Sequence, residues 1–291
     1  MGLPETFEAV RPSIVVFISR VSIIAPGGTP PFFPTIFGTG FLVDRCGIAV
    51  TNRHVIDEMA KLNQNPQNPE TGDGPIGALV FTEITHTRSE HKLGMLNVDV
   101  LGWNALETFS VSSPWFGEDL PDLGFVQLNV REVPSLPLAM EPGIVRTGMA
   151  IATAGFPLGV RTVTFHSRIT QMTPVLRHGI VSSVFPFRGA HPHGFSIDAL
   201  LQGGASGSPV FLPDKPLVVG MIASNLRDTN FTVAVPSHLL AGALSETLAK
   251  WPSFTDVPLL FDLIESGEAS GHETLNWSQY PITAAPRTDV G

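Results

Sequence analysis

Gly38-Thr39-Gly40-Phe41-Leu42-Val43-Asp44-Arg45-Cys46-Gly47-Ile48-Ala49-Val50-Thr51-Asn52-Arg53-His54-Val55-Ile56 is the stretch on which the reading of this chain turns. Two apolar runs, Gly40 to Val43 and Ile48 to Thr51, flank Asp44-Arg45-Cys46-Gly47, whose residue types favour a tight turn. The stretch therefore predicts a β-hairpin. A histidine, His54, follows just past the second strand. Taken alone, a histidine in that place is more often structural than reactive.

The same texture continues in both directions. Ile14 to Ile18 is continuous and β-branched. Leu79 to Ile84, Val98 to Trp103, Leu123 to Leu128, Ala150 to Ala154, Arg161 to Ile169 and Gly179 to Phe185 are further strand candidates. Phe195 to Ala199, Pro209 to Leu212, Leu217 to Ala223 and Phe231 to Val235 extend the series. Glycine (28) and proline (26) supply turns between them. A dozen or so short strands with little helix between predict an all-β protein, a sandwich or barrels. Helix signals come late. Ser237 can cap a segment whose Leu240, Ala243, Leu244 and Leu248 share one face. Pro258 to Ser266 predicts a second short helix stopped by Gly267. Asn63 to Gly74 and Phe109 to Pro121 read as loops, and the chain from about Ser266 onward reads as a polar, weakly ordered tail.

Composition narrows the function classes. With 291 residues, the chain suits one two-lobed domain or two small ones, and 43% apolar against 15% charged residues leaves ample material for a core. The net charge of −9, without a Lys/Arg cluster, argues against a nucleic-acid partner. A single cysteine, Cys46, excludes an internal disulfide and reads as a small packed residue; it favours a reducing compartment or a disulfide-free lineage. No apolar run reaches the length of a bilayer span, and the start of the chain lacks the basic-then-apolar order of a signal peptide. The expectation is a cytoplasmic protein without a membrane partner.

Two further stretches carry chemistry. In Gly203-Gly204-Ala205-Ser206-Gly207-Ser208-Pro209, glycines on both sides of a serine let the backbone turn sharply. A serine is a weak nucleophile unless a base lies within reach and N–H groups face the developing oxyanion. The amides of Gly204 and Ser206 are placed to converge in that way. Pro121-Asp122-Leu123-Gly124-Phe125-Val126-Gln127-Leu128 opens an apolar strand with an aspartate, a position from which a carboxylate points inward. Each stretch alone also reads as an ordinary turn.

Taken in order, His54, Asp122 and Ser206 resemble the trypsin-like superfamily, and in particular its bacterial-type, HtrA-like proteases. Thr51-Asn52-Arg53-His54-Val55-Ile56 is similar to that family's T-N-x-H-V-I. Asp122-Leu123-Gly124 is similar to its D-[LI]-A, Gly155-Phe156-Pro157-Leu158-Gly159 to G-[YF]-P-x-G, and His178-Gly179-Ile180-Val181-Ser182 to x-G-I-V-S. Asp198 to Pro209 aligns without a gap with D-A-x-I-N-P-G-N-S-G-G-P. Val219-Gly220-Met221 and Ala234-Val235-Pro236-Ser237 match two later strands. The resemblance runs from about Phe7 to Leu248. It implies two six-stranded antiparallel β-barrels with the active site between them and a short C-terminal helix. Residues 1–135 would form the lobe carrying His54 and Asp122, and residues 136–250 the lobe carrying Ser206. Residues 251–291 would be an extension, too short for the PDZ module of many relatives. The implied activity is a serine endopeptidase acting on polypeptides without a cofactor. Gly204 and Ser206 would form its oxyanion hole. Leu200, six residues before the serine, would shape the primary pocket and favour apolar side chains. Ala223, Ser224 and Asn225 would pair with the substrate backbone.

The match departs from the family in four places. Ser208 replaces a glycine, as it does in other members of the superfamily. Ala205 cannot pair with a newly cut N-terminus, so no activation cleavage is expected. The long separation of His54 and Asp122 keeps Asp119 and Asp99 as rivals for the acid. Ala223 stands where many relatives place a serine or threonine. Three other readings stay open at this level: an inactive relative serving as a binding module, a virus-type processing protease of the same fold, and a metal protein built on His166, His178, His191 and His193, for which the zinc spacing is missing. The sequence leaves the oligomeric state open. It also leaves open whether His178 to Gly204 switches between resting and competent forms.

Overall fold

The computed structural model describes residues 1–20, 22–24, 35–63, 75–87, 90–108, 121–157, 174–186, 191–199, 204–225, 232–248, 250, 257–266, 270–271 and 282–284. Leu200, Asp119, His166, the strand expected over Arg161 to Ile169 and nearly all of the two expected long loops lie outside these residues.

The chain begins with helix α1 (Leu3–Val10), which leads into β1 (Ile14–Ser19) and β2 (Ser22–Ile24). The quoted hairpin is β3 (Ile36–Asp44) and β4 (Ile48–Thr51), joined by a turn in which Asp44 Oδ1 accepts the Cys46 N–H at 2.7 Å. Helix α2 (Arg53–Asn63) follows directly. Then come β5 (Ile76–Thr87), β6 (Glu90–Ala105) and β7 (Gly124–Leu128). The strand order β6-β5-β1-β3-β4-β7, closed by a β6–β7 pairing, makes a six-stranded antiparallel barrel.

The second half repeats the plan. Strands β8 (Ala150–Gly155), β9 (Val175–Phe185), β10 (Gly194–Ile197), β11 (Pro209–Phe211), β12 (Val218–Asn225) and β13 (Thr232–Pro236) close in the order β10-β13-β12-β11-β8-β9. Helix α3 (Ser237–Leu248) ends this half, and helix α4 (Leu260–Glu265) follows. The architecture is the pair of six-stranded barrels that the family resemblance implied.

Side-chain alternation along the strands explains how the barrels join. Val15 and Phe17 point into the first barrel with Leu42, Ala49, Val80, Val98 and Val126. Ile14, Val16 and Ile18 point the other way, into a core shared with Ala152, Phe156, Phe211, Met221 and Leu240 of the second half. A strand with a core on each face has no polar side to show, and all six residues of β1 are buried. Phe81 and Phe156 stack across this seam with ring centroids 5.5 Å apart. The interior of the second barrel is filled separately by Ile151, Val181, Phe195, Val210, Val219 and Ala234.

Two expectations need correction. Helices do not come only late, since α1 and α2 precede most of the sheet. Val55, Ile56, Met59 and Leu62 recur at helical spacing and are buried against the first barrel. Nor is the chain from Ser266 onward simply a tail, because two short strands from it join earlier ones, and the helix expected just before it is present and packs on the first barrel. The Arg131 N–H donates to the Pro258 carbonyl at 3.0 Å, the Leu260 N–H donates to the Arg131 carbonyl at 2.9 Å, and Leu260 is buried in the first barrel's interior cluster. Short strands β14 (Ser270–Gly271) and β15 (Ile282–Ala284) add to β6 and β2.

Candidate active site

Strand pairing brings the first two site residues together. Strands β4 and β7 are antiparallel with Thr51 opposite Gly124. His54 lies three residues past the end of β4 and Asp122 two before the start of β7, at the same end of this ladder, so both emerge at the same rim. The Asn52 side-chain amide donates to the Asp122 carbonyl at 2.9 Å and fixes the approach. The Asp122 carboxylate then receives the His54 backbone N–H at 3.1 Å, and both its oxygens lie 3.0 Å from His54 Nδ1. Asp122 is largely covered, with 17% of its side chain exposed, while His54 is 49% exposed. The Nδ1 end of a half-exposed imidazole is thus held by the carboxylate.

Electrostatics favour a protonatable imidazole. Partial burial alone would lower its pKa. The hydrogen bond and charge of Asp122, aided by Asp57 and Glu58, outweigh burial and hold His54 above the usual 6.5.

Ser206 sits in the turn Gly204 to Gly207 that enters β11. Gly204 has φ of 93° and Gly207 φ of 83°, the left-handed region in which glycine carries no Cβ penalty. A methyl group on Gly207 would also come within 1.9 Å of the Thr39 carbonyl oxygen. The turn is closed by the Ser208 N–H, which donates to the Ala205 carbonyl at 3.0 Å. It is tied to β12 by the Gly207 N–H, which donates to the Ile222 carbonyl at 3.0 Å.

Threonine 39 of the first barrel bridges to this turn. The Thr39 N–H donates to the Ser206 carbonyl at 3.0 Å, and Thr39 Oγ1 donates to the Gly204 carbonyl at 2.8 Å. The Thr39 carbonyl in turn accepts from Thr51 Oγ1 at 2.7 Å, three residues before His54. A Cβ on Gly38 would touch both the Val55 side chain and the Ser206 carbonyl oxygen. The serine turn and the first turn of α2 are therefore neighbours. Among the described residues no hydrogen bond joins Ser206 Oγ to His54 Nε2. The Gly204 and Ser206 amides donate to no backbone carbonyl among the described residues.

The remaining candidates are placed as follows. Asp99 pairs with the buried Arg20, the residue after β1, and is spent on that contact. Ala223 is buried and lies at an irregularity between Ile222 and Ser224 on β12. Ser224 and Asn225 pair with Val233 and Thr232 on one side. On the other side β11 reaches only to Met221, so β12 outruns it beside the serine turn. No group of three or more His, Cys, Asp or Glu among the described residues is arranged to hold a metal ion. No helix among them is long and apolar enough to cross a membrane. Sequence reasoning missed the bridging role of Thr39, because a threonine in a G-x-G strand carries no local sign of its partner 165 residues away.

A family model described as a trypsin-like peptidase domain matches residues 38–221. No curated protein sequence matches significantly. Among solved structures, the HtrA-type protease AlgW with decapeptide is similar at a TM-score of 0.54 and 14% identity, covering 86% of this chain and 68% of its own. A point variant of AlgW with decapeptide gives 0.54 and 13% over the same shares. Deg5 gives 0.49 and 16%, covering 84% of this chain and 90% of its own. At these identities the likeness to AlgW is one of fold.

Proposed function

This chain belongs to the trypsin-like peptidase family, and from its membership as a serine endopeptidase we propose that His54, Asp122 and Ser206 form its catalytic triad. The observation that carries the assignment is the two-point contact of Asp122 with His54, linked through Thr51 and Thr39 to the turn that holds Ser206.

Catalysis then runs as acyl transfer. Ser206 Oγ attacks the peptide carbonyl carbon while His54 Nε2 takes the hydroxyl proton. Asp122 accepts the Nδ1 proton as a hydrogen bond, fixes the tautomer and stabilises the imidazolium. The carbonyl oxygen, now an oxyanion, meets the N–H groups of Gly204 and Ser206. His54 returns the proton to the leaving amine as the C–N bond breaks. Water, deprotonated by His54, then hydrolyses the acyl-enzyme and restores Ser206. No cofactor enters any step.

Substrate binding follows the sheet. The edge of β12 at Ala223, Ser224 and Asn225, which no described strand pairs on the side of the serine turn, is a template for an extended polypeptide to add as a strand. By its spacing six residues before Ser206, Leu200 is assigned the role of setting a preference for apolar side chains before the cut bond. The unit divides into residues 1–135, residues 136–250 and an extension of residues 251–291, a reading supported by barrel strands that stop at Leu128 and resume at Ala150.

A fluorophosphonate probe tests the triad. Wild-type protein takes the label at Ser206, and Ser206→Ala and His54→Ala do not. Wild-type protein that takes no label, or label that persists in Ser206→Ala, refutes the assignment.

A further inference from the structure

We propose that Thr39 is a positioning residue for the oxyanion hole, acting through the peptide between the two donor amides. This rests on the triad reading above. The two donors belong to the peptides 203–204 and 205–206. Between them lies the 204–205 peptide, whose carbonyl is the acceptor of Thr39 Oγ1 at 2.8 Å. The 205–206 carbonyl is held by the Ser208 N–H, and the 206–207 carbonyl by the Thr39 N–H. Each of these carbonyls thus has a partner, and one residue from the other barrel supplies two of the three.

The hydroxyl is fully engaged. Thr39 is completely buried, and its Oγ1 accepts the Phe156 N–H at 3.1 Å while donating to Gly204. Phe156 itself is stacked in the seam between the barrels. The hydroxyl's single proton is therefore committed to the Gly204 carbonyl. Glycine at 204 has a soft backbone, with φ of 93°, and an adjacent carbonyl without a partner is free to rotate. Rotation of the 204–205 plane turns the neighbouring N–H groups away from a common point. Donors hold a developing oxyanion only when they are already aimed at it. A threonine here therefore acts on the transition state through the backbone, without touching substrate.

Three variants separate this role from mere stability. Thr39→Val keeps the shape and removes the hydroxyl, Thr39→Ala removes it and adds no bulk, and Thr39→Ser restores it. Each is titrated to completion with the fluorophosphonate, so turnover is counted per labelled site and unfolded protein drops out. A peptide anilide with an apolar residue before the cut bond gives kcat and KM. The boronic acid of the same peptide, which forms a tetrahedral anion, gives an inhibition constant. Loss of the hydroxyl is expected to lower kcat per site and boronate affinity by about 10- to 100-fold, less than deletion of a donor itself. KM should stay within about threefold, the mark of an interaction made only in the transition state. Thr39→Ser should stay near wild type in all three. Thr39→Ala or Thr39→Val with unchanged kcat per site overturns the proposal, as does Thr39→Ser failing as they do. Wild-type protein that takes no label overturns the triad reading and this inference together, whereas a labelled wild type beside fully active hydroxyl-less variants overturns this inference alone.

Discussion

Asp122 grips His54 at two points: Oδ1 accepts the histidine's backbone N–H at 3.1 Å, and both carboxylate oxygens lie 3.0 Å from Nδ1. The first contact fixes where α2 begins and the second fixes the ring. Asp122→Asn keeps the shape but offers an N–H where Nδ1–H needs an acceptor, so the ring adopts the wrong tautomer. Turnover should fall by about 10⁴-fold. Asp99→Asn is the control. Asp99 is paired with Arg20, so kcat per folded molecule should hold while stability falls. Loss of turnover in Asp99→Asn with retention in Asp122→Asn would reverse the assignment.

Under the proposed triad, the raised pKa of His54 should set the acid limb of the rate profile. His54 must be neutral to take the proton from Ser206. As pH falls through the raised value the base is lost, so log kcat/KM should bend above 6.5 rather than at it. The exposed Asp57 and Glu58 contribute to the shift. Asp57→Asn combined with Glu58→Gln should move the bend to lower pH, and a bend that stays in place or rises would remove them from the account.

Gly207 has no room for a side chain. Alanine there must hold φ near 83° and place its Cβ 1.9 Å from the Thr39 oxygen. The backbone strain alone costs about 1–3 kcal/mol, and the clash adds to it. Gly207→Ala should lower the urea midpoint and abolish fluorophosphonate labelling. A variant as stable and as reactive as wild type would contradict the described turn.

His238, at the start of α3, should make the protein acid-sensitive. Burial, followed by the nearby His191 and His193, lowers its pKa from 6.5 to about 4. Between these values the unfolded state binds the proton and the folded state does not. Stability is therefore full above 6.5 and falls as pH drops toward about 4. His238→Gln should lessen the loss measured by urea unfolding at pH 7 and pH 4.5. The slope should not vanish, because burial shifts His193 in the same direction.

Leu260 tests whether the extension is part of the first barrel. It is 8% exposed and packs in that barrel's interior cluster. Leu260→Ala should cost about 2–5 kcal/mol in unfolding free energy. A cost below about 0.5 kcal/mol, the level of a surface change, would mean that the segment rides on the surface.

Most strands were legible because their signals are local. The β-branched run Ile14 to Ile18, the turn types at Asp44 to Gly47 and the apolar stretch ahead of Ser237 each state their conformation within a few residues. The triad candidates were legible from motif order, through resemblance. Helix α2 was written just as locally, in Val55, Ile56, Met59 and Leu62, but the strand it follows and the motif it carries drew the reading away from its period. The C-terminal segment shows the opposite case. Pro258 to Ser266 announced a helix, yet nothing nearby says that Leu260 packs into a barrel whose strands ended at Leu128.

The sequence by itself determined the all-β class, nearly all the strand positions, and the residue types gathered around His54, Asp122 and Ser206, because propensity, turn chemistry and motif spacing are short-range properties. Only the tertiary structure decided that Asp99 belongs to Arg20, that Asp122 meets both the backbone and the ring of His54, and that one threonine spans the two barrels to hold the serine turn. Those outcomes depend on barrel closure and on the register of strands far apart in the chain. Register is set by how whole faces bury against one another, and no single segment carries that information.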